Sequence, residues 1–280
     1  MPSMSFRRVT LAAAVLTAAG SLIAGVPAHA LPAWAPAATA PIHPGVQTVT
    51  GGSNQCTANF VFQDSAGAVY IGQAAHCAST SASTSTNGCL ATSMPLNTTV
   101  TVGGALWPAK MVYSSWLAMN AVPEPSASVQ CQYNDLAIVA LDSRDWSRVN
   151  PSVPYWGGPR AVRTAALTTG ANVYSYGNSS LRFGVAATSP KRGISLGDTG
   201  SGWSHGLYTV TQGIPGDSGS GFLDANGDAF GVLSTISVAP IPASNNAGDL
   251  AKEIAYMQAH STYTTANVVP GDVPFVARVP

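Results

Sequence analysis

Apolar residues along the chain come in short runs broken by Gly, Ser, Asn and Pro, most clearly at 58–62, 68–71, 98–102, 136–141, 172–176, 207–211 and 229–236. Runs of this length with turn residues between them predict strands, and so many in succession predict a barrel or sandwich rather than alternating strands and helices. Only at 249–258 does the spacing become helical. There Leu250, Ile254 and Met257 fall on one face, and Asn246 to Asp249 supplies a polar start. The segment 146–162 contains Pro151, Pro154, Pro159 and the pair Gly157-Gly158, which makes it the best internal boundary. It predicts two β units, 46–150 and 151–280. The second carries the helix and, from Ser261 onward with Pro270, Pro274 and Pro280, an irregular tail.

Two stretches precede these units. Residues 1–30 have the layout of a secretory signal: Arg7 and Arg8, an apolar run over 9–26, and the small-x-small site Ala28-His29-Ala30. The run is long enough to compete as an uncleaved anchor, but Thr10, Thr17, Ser21, two glycines and Pro27 favour cleavage. The residues after Arg7-Arg8 do not support a twin-arginine route, so general export is expected. No later segment is apolar enough to span a bilayer. Residues 31–45, rich in Ala and Pro, read as a linker or short propeptide in which His43 is solvated.

Loss of Arg7 and Arg8 with the signal leaves ten basic residues against twelve acidic, a formal charge of minus two. That balance argues against nucleic acid or an anionic membrane as partner. The four cysteines, Cys56, Cys77, Cys89 and Cys131, are even in number, which in an exported chain predicts two disulfides; spacing leaves three connectivities open. Without a C-x-x-C pair or a His-Glu-x-x-His helix, no metal or other cofactor is expected. The stretch from Asp224 to Asp228, D-A-N-G-D, reads as a hairpin turn at Asn226-Gly227 rather than a calcium loop.

The strongest chemical signal is G-I-P-G-D-S-G-S-G at 213–221. A serine hydroxyl is a poor nucleophile and needs a base, together with donors for the oxygen that becomes negative when a carbonyl is attacked. Glycines on both sides of Ser218 permit a tight, exposed turn that can aim amide hydrogens at that oxygen. Taken alone, the stretch could be an ordinary Gly/Ser loop. A second signal is Ala74-Ala75-His76-Cys77 after an apolar run, although a lone histidine is more often structural. A third is Asp135, at the mouth of the run L-A-I-V-A-L, where a solvated turn acid is the bland alternative. The order is His, Asp, Ser.

A-A-H-C, D-L-A-I-V-A-L and G-D-S-G in that order resemble the chymotrypsin-like (trypsin-like) serine proteases, especially their secreted bacterial members. The likeness is anchored from about Cys56 to the late helix. It implies an all-β fold of two antiparallel Greek-key β-barrels with a cleft between them, plus a C-terminal helix. The first barrel supplies His76 and Asp135, and the second supplies Ser218. The resemblance also implies an oxyanion hole from the amides of Gly216 and Ser218, a Cys56–Cys77 disulfide that leaves Cys89 with Cys131, and Ser234 in support of the acid. The expected activity is a secreted, monomeric serine endopeptidase acting on polypeptides through an acyl-enzyme.

Gln212, six residues before the nucleophile, is placed by the resemblance at the base of the specificity pocket. It is not an acid, so no preference for Lys or Arg is expected. Ile236 would narrow the pocket towards small or medium apolar side chains. No cut site near residue 45 precedes an apolar-Gly-Gly start, so a new chain end inserting beside Asp217 is unsupported, and the role of Asp217 is left open. Ser220 stands where many relatives have glycine. A silent binding module of the same fold and an esterase-type acyl hydrolase are the competing functions. His205 and His260 have no recognisable partners in the sequence.

Overall fold

The computed structural model describes residues 1, 33–81, 86–122, 124–237 and 241–280, so the expected export signal lies outside the described residues except for Met1. Seven strands build most of a first unit: β1 (Gln47–Thr50), β2 (Asn54–Thr57), β3 (Val61–Gln63), β4 (Val69–Ala74), β5 (Thr99–Val102), β6 (Ala109–Ser114) and β7 (Leu136–Ala140). Six more form the second: β8 (Asn172–Tyr176), β9 (Pro190–Thr199), β10 (Ser204–Thr209), β11 (Gly221–Asp224), β12 (Ala229–Ser237) and β13 (Ser244–Asp249). The last strand, β14 (Asn267–Val268), returns to the first unit. Helices α1 (Ser115–Ala121), α2 (Val129–Tyr133) and α3 (Leu250–Ala259) lie outside the strands.

The first sheet runs β14-β3-β4-β7-β6-β5-β1-β2 and stays open, whereas the second closes as β10-β13-β12-β11-β8-β9. The continuous apolar run of β7 follows from its place between β4 and β6, where four of its five residues are buried. The jump from β10 to β13 gives the second barrel its Greek-key order. At the β11–β12 turn Gly227 takes φ +82°, and Asp224 Oδ1 accepts hydrogen bonds from the amides of Asn226 and Asp228. D-A-N-G-D is therefore a side-chain-braced hairpin turn.

Asp249 caps α3 by accepting from the Lys252 amide, and Leu250, Ile254 and Met257 are buried as the helical spacing requires. They join Phe60, Leu136, Trp156 and Val232 in one apolar cluster that spans both units. This shared core fixes the second barrel against the first and so sets the cleft between them.

Four readings change. Residues 33–45 are packed rather than free: Ala35 and Ile42 run against Val149 and Asn150, and Ala40 and Ile42 are buried. His43 is half-buried, not solvated, with Nδ1–H donated to the Pro44 carbonyl at 2.8 Å; burial lowers its pKa. The tail is not wholly irregular, since β14 pairs with β3 and Val276 donates its amide to Trp156. His205 does have partners, Asp198 and Asp249, and is buried between them. His260 is exposed and stacks on Tyr256 at 4.1 Å.

Candidate active site

The antiparallel register of β4 and β7 pairs Ala74 with Leu136, and the Ala75 amide extends the ladder by donating to the Asp135 carbonyl at 2.8 Å. His76, just past one strand, therefore emerges beside Asp135, just before the other. The Asp135 carboxylate accepts three times: Oδ1 from the His76 amide at 2.8 Å, and Oδ2 from His76 Nδ1–H at 2.7 Å and from Ser234 Oγ at 2.6 Å. A carboxylate can only accept, so this contact places the proton of neutral His76 on Nδ1 and leaves Nε2 a free base. Burial by itself lowers the His76 pKa, but the charge and hydrogen bond of Asp135 outweigh it, and the net shift is upward from 6.5.

Ser218 lies on the loop before β11, and first-unit strands hold that loop. Its carbonyl accepts from the Thr57 amide at 2.8 Å, while Thr57 Oγ1 and Gln55 Nε2 donate to the Gly216 carbonyl. Gly219 takes φ +87°, and a Cβ there would come within 2.7 Å of the Thr57 carbonyl and 2.8 Å of the Ala74 amide nitrogen. Only glycine lets the loop pass this close to the backbone of the first unit. The amides of Asp217, Gly219 and Ser220 bond to backbone carbonyls; among the described residues none accepts from the amides of Gly216 and Ser218.

A cavity of about 800 Å3 carries His76, Asp135, Ser218, Gly216, Ser234 and Ile236 in its lining. Gln212, expected at its base, is not among the lining residues; its carbonyl instead accepts from Arg182 Nη2. The wall starts at Gly213, and Asn245 reaches it from β13, with Oδ1 accepting the Gly213 amide at 2.9 Å. Counting residues back along the loop could not find Asn245, because its contact is made across strands.

Asp217, left without a role by the sequence, is fully buried and meets two cations: Lys191 Nζ at 2.9 Å and Arg182 Nη2 at 2.8 Å. It also accepts from the amides of Ser179 and Ile214. Burial pushes its pKa up, but these cations prevail and hold it below the usual carboxylate value. Lys191 is itself fully buried, which lowers its pKa.

The disulfides Cys56–Cys77 and Cys89–Cys131 are both formed. The first ties β2 to the 3-10 turn that carries His76. Cys56, His76 and Cys77 cluster closely, yet sulfurs bonded to each other offer no thiolate to a metal.

Neither a protein-family model nor a curated protein sequence matches this chain. Solved structures do. Thermobifida fusca Protease A is similar at 15% identity and TM-score 0.51, over 82% of this chain and 99% of its own. A Glu endopeptidase in complex with MPD is similar at 16% identity and TM-score 0.51, over 77% of this chain and 89% of its own. Likeness at such identity carries architecture alone: the chain has the fold of the bacterial chymotrypsin-like serine proteases.

Proposed function

We propose that this chain is an exported serine endopeptidase in which His76, Asp135 and Ser218 act as base, orienting acid and nucleophile. The observation that carries the reading is an imidazole held at Nδ1, 2.7 Å from a buried carboxylate, in a cavity whose wall also bears Ser218. In this reading Ser218 Oγ attacks the peptide carbonyl, and His76 Nε2 takes the hydroxyl proton and passes it to the leaving amine. Water, activated by the same nitrogen, then hydrolyses the acyl-enzyme. Asp135 stabilises the transient imidazolium, and the unengaged amides of Gly216 and Ser218 serve the tetrahedral oxyanion.

The pocket is expected to take neutral, small or medium side chains. Its described lining offers no Lys, Arg or Glu, and Ile236 and Asn245 are among the side chains that line it. Two disulfides support an extracellular setting, and among the described residues no helix is long and apolar enough to cross a membrane.

The test is labelling of the purified protein with a fluorophosphonate. Labelling of wild type but not of Ser218→Ala is expected. Absence of label on wild type would leave the silent binding module, and turnover of esters without peptides would leave the esterase. Peptide-library cleavage that peaked after Lys, Arg or Glu would overturn the pocket assignment.

A further inference from the structure

The His76–Asp135 pair is held from behind by a residue that the chemistry just described does not use. Glu253 projects from α3 into the interior and is fully buried. Its Oε1 accepts the Asp135 backbone N–H at 2.8 Å, a contact across 118 residues. Room for the carboxyl comes from Gly248, where a Cβ would fall 2.3 Å from Oε1. With the Asp135 carbonyl held by Ala75 and its carboxylate by His76 and Ser234, this bond fixes the last polar group of the residue.

We propose that Glu253 is a positioning residue of the site, fixing through the Asp135 N–H the carboxylate that orients His76. The proposal rests on the hydrolase reading for its effect on turnover, but not for its effect on the imidazole. An apolar side chain at 253 would leave the Asp135 amide without an acceptor in a dry interior, and the peptide plane would be free to turn.

The surroundings also set the protonation state of Glu253. The groups facing it are Asp135 just before β7, Asp249 from the cap of α3 and Tyr113 from β6. None of them is a cation, and Oε2 has no hydrogen-bond partner among the described residues. Burial raises the pKa of the acid well above its usual range; the Asp135 amide opposes this, and the charges of Asp135 and Asp249 reinforce it. Burial without a facing cation favours the neutral acid, whose charge and acceptor Glu253→Gln would preserve.

The test titrates the His76 ring by NMR in the full-length Ser218→Ala protein, which needs no turnover. Glu253→Gln should leave the His76 pKa unchanged, whereas Glu253→Leu should lower it, because a loosened Asp135 favours the imidazolium less. In the active protein Glu253→Gln should keep kcat within about twofold, and Glu253→Leu should cut it by about 10- to 100-fold with little change in KM. Should Glu253→Leu fail to fold, Glu253→Asp, one methylene too short to reach the amide, carries the same expectations. Infrared spectroscopy should show a protonated-carboxyl band in wild type that Glu253→Gln removes. Wild-type kcat and His76 titration in the Leu or Asp variant would overturn the proposal even with a lowered Tm. A wild type inert to fluorophosphonate would instead sink the hydrolase reading, while the NMR titration would still decide the role of Glu253.

Discussion

Asp135 is nearly inaccessible to solvent, and three donors converge on its carboxylate, so replacing it removes both an orienter and a counter-charge. Asp135→Asn is expected to lower kcat by about ten-thousand-fold, and Ser218→Ala by about a million-fold, each read from steady-state turnover of a peptide substrate. The acid limb of kcat/KM should have its midpoint above 6.5, the ordinary value for histidine, and should move down in Asp135→Asn. The sign has a consequence for stability. A histidine whose pKa is raised in the folded state stabilises fully below 6.5 and loses that contribution as pH rises through the folded value, so the base becomes competent as its pairing energy fades. At this scale the residues proposed to react were singled out by short local signatures: small residues before His76, an acid before an apolar run, glycines around Ser218. Lys191, Arg182, Asn245 and Glu253 were not legible. Nothing in P-K-R-G announces a buried ammonium, because its partner lies 26 positions away at Asp217.

Elements built on an apolar run were the easiest to anticipate. The segment 172–176 coincides with β8, and the apolar run from 136 gives β7. In contrast β2 (N-Q-C-T), β9 (P-K-R-G-I-S-L-G-D-T) and β13 (S-N-N-A-G-D) carry polar residues and glycines that read as turns, and only their strand partners make them regular. Some of these polar positions are pinned. His205 on β10 donates to Asp198 on β9 at 2.7 Å and to Asp249, the cap of α3, at 3.0 Å. Burial lowers the pKa of this imidazole, but bonds to both carboxylates outweigh that and raise it above 6.5. The resulting stabilisation is present below 6.5 and disappears as pH rises through the folded value, when one of the carboxylates loses its cation. The difference in Tm between wild type and His205→Gln should therefore shrink as pH rises across that window, measured by thermal unfolding at a series of pH values. Profiles that stayed parallel would show that His205 does not titrate there.

The two units share an apolar cluster, with α3 contributing Leu250, Ile254 and Met257 to a core that also contains Phe60, Leu136 and Trp156. They should therefore melt together. Ile254→Ala is expected to cost about 2–5 kcal/mol and to shift a single calorimetric transition downward. Two separate transitions would contradict a common core. The all-β character and the late helix were legible from run lengths and helical spacing. The open first sheet, the return of β14 and the packing of 33–45 depend on long-range pairing that leaves no local pattern.

Asp217 draws both of its neutralising charges from the second unit, from Lys191 on β9 and from Arg182 in the turn that precedes it. The loop that bears Ser218 therefore receives its electrostatic bracing as soon as the barrel closes. Neutralising Asp217 calls for no newly cut chain end, and what its two cations secure is a loop braced by the folded polypeptide itself.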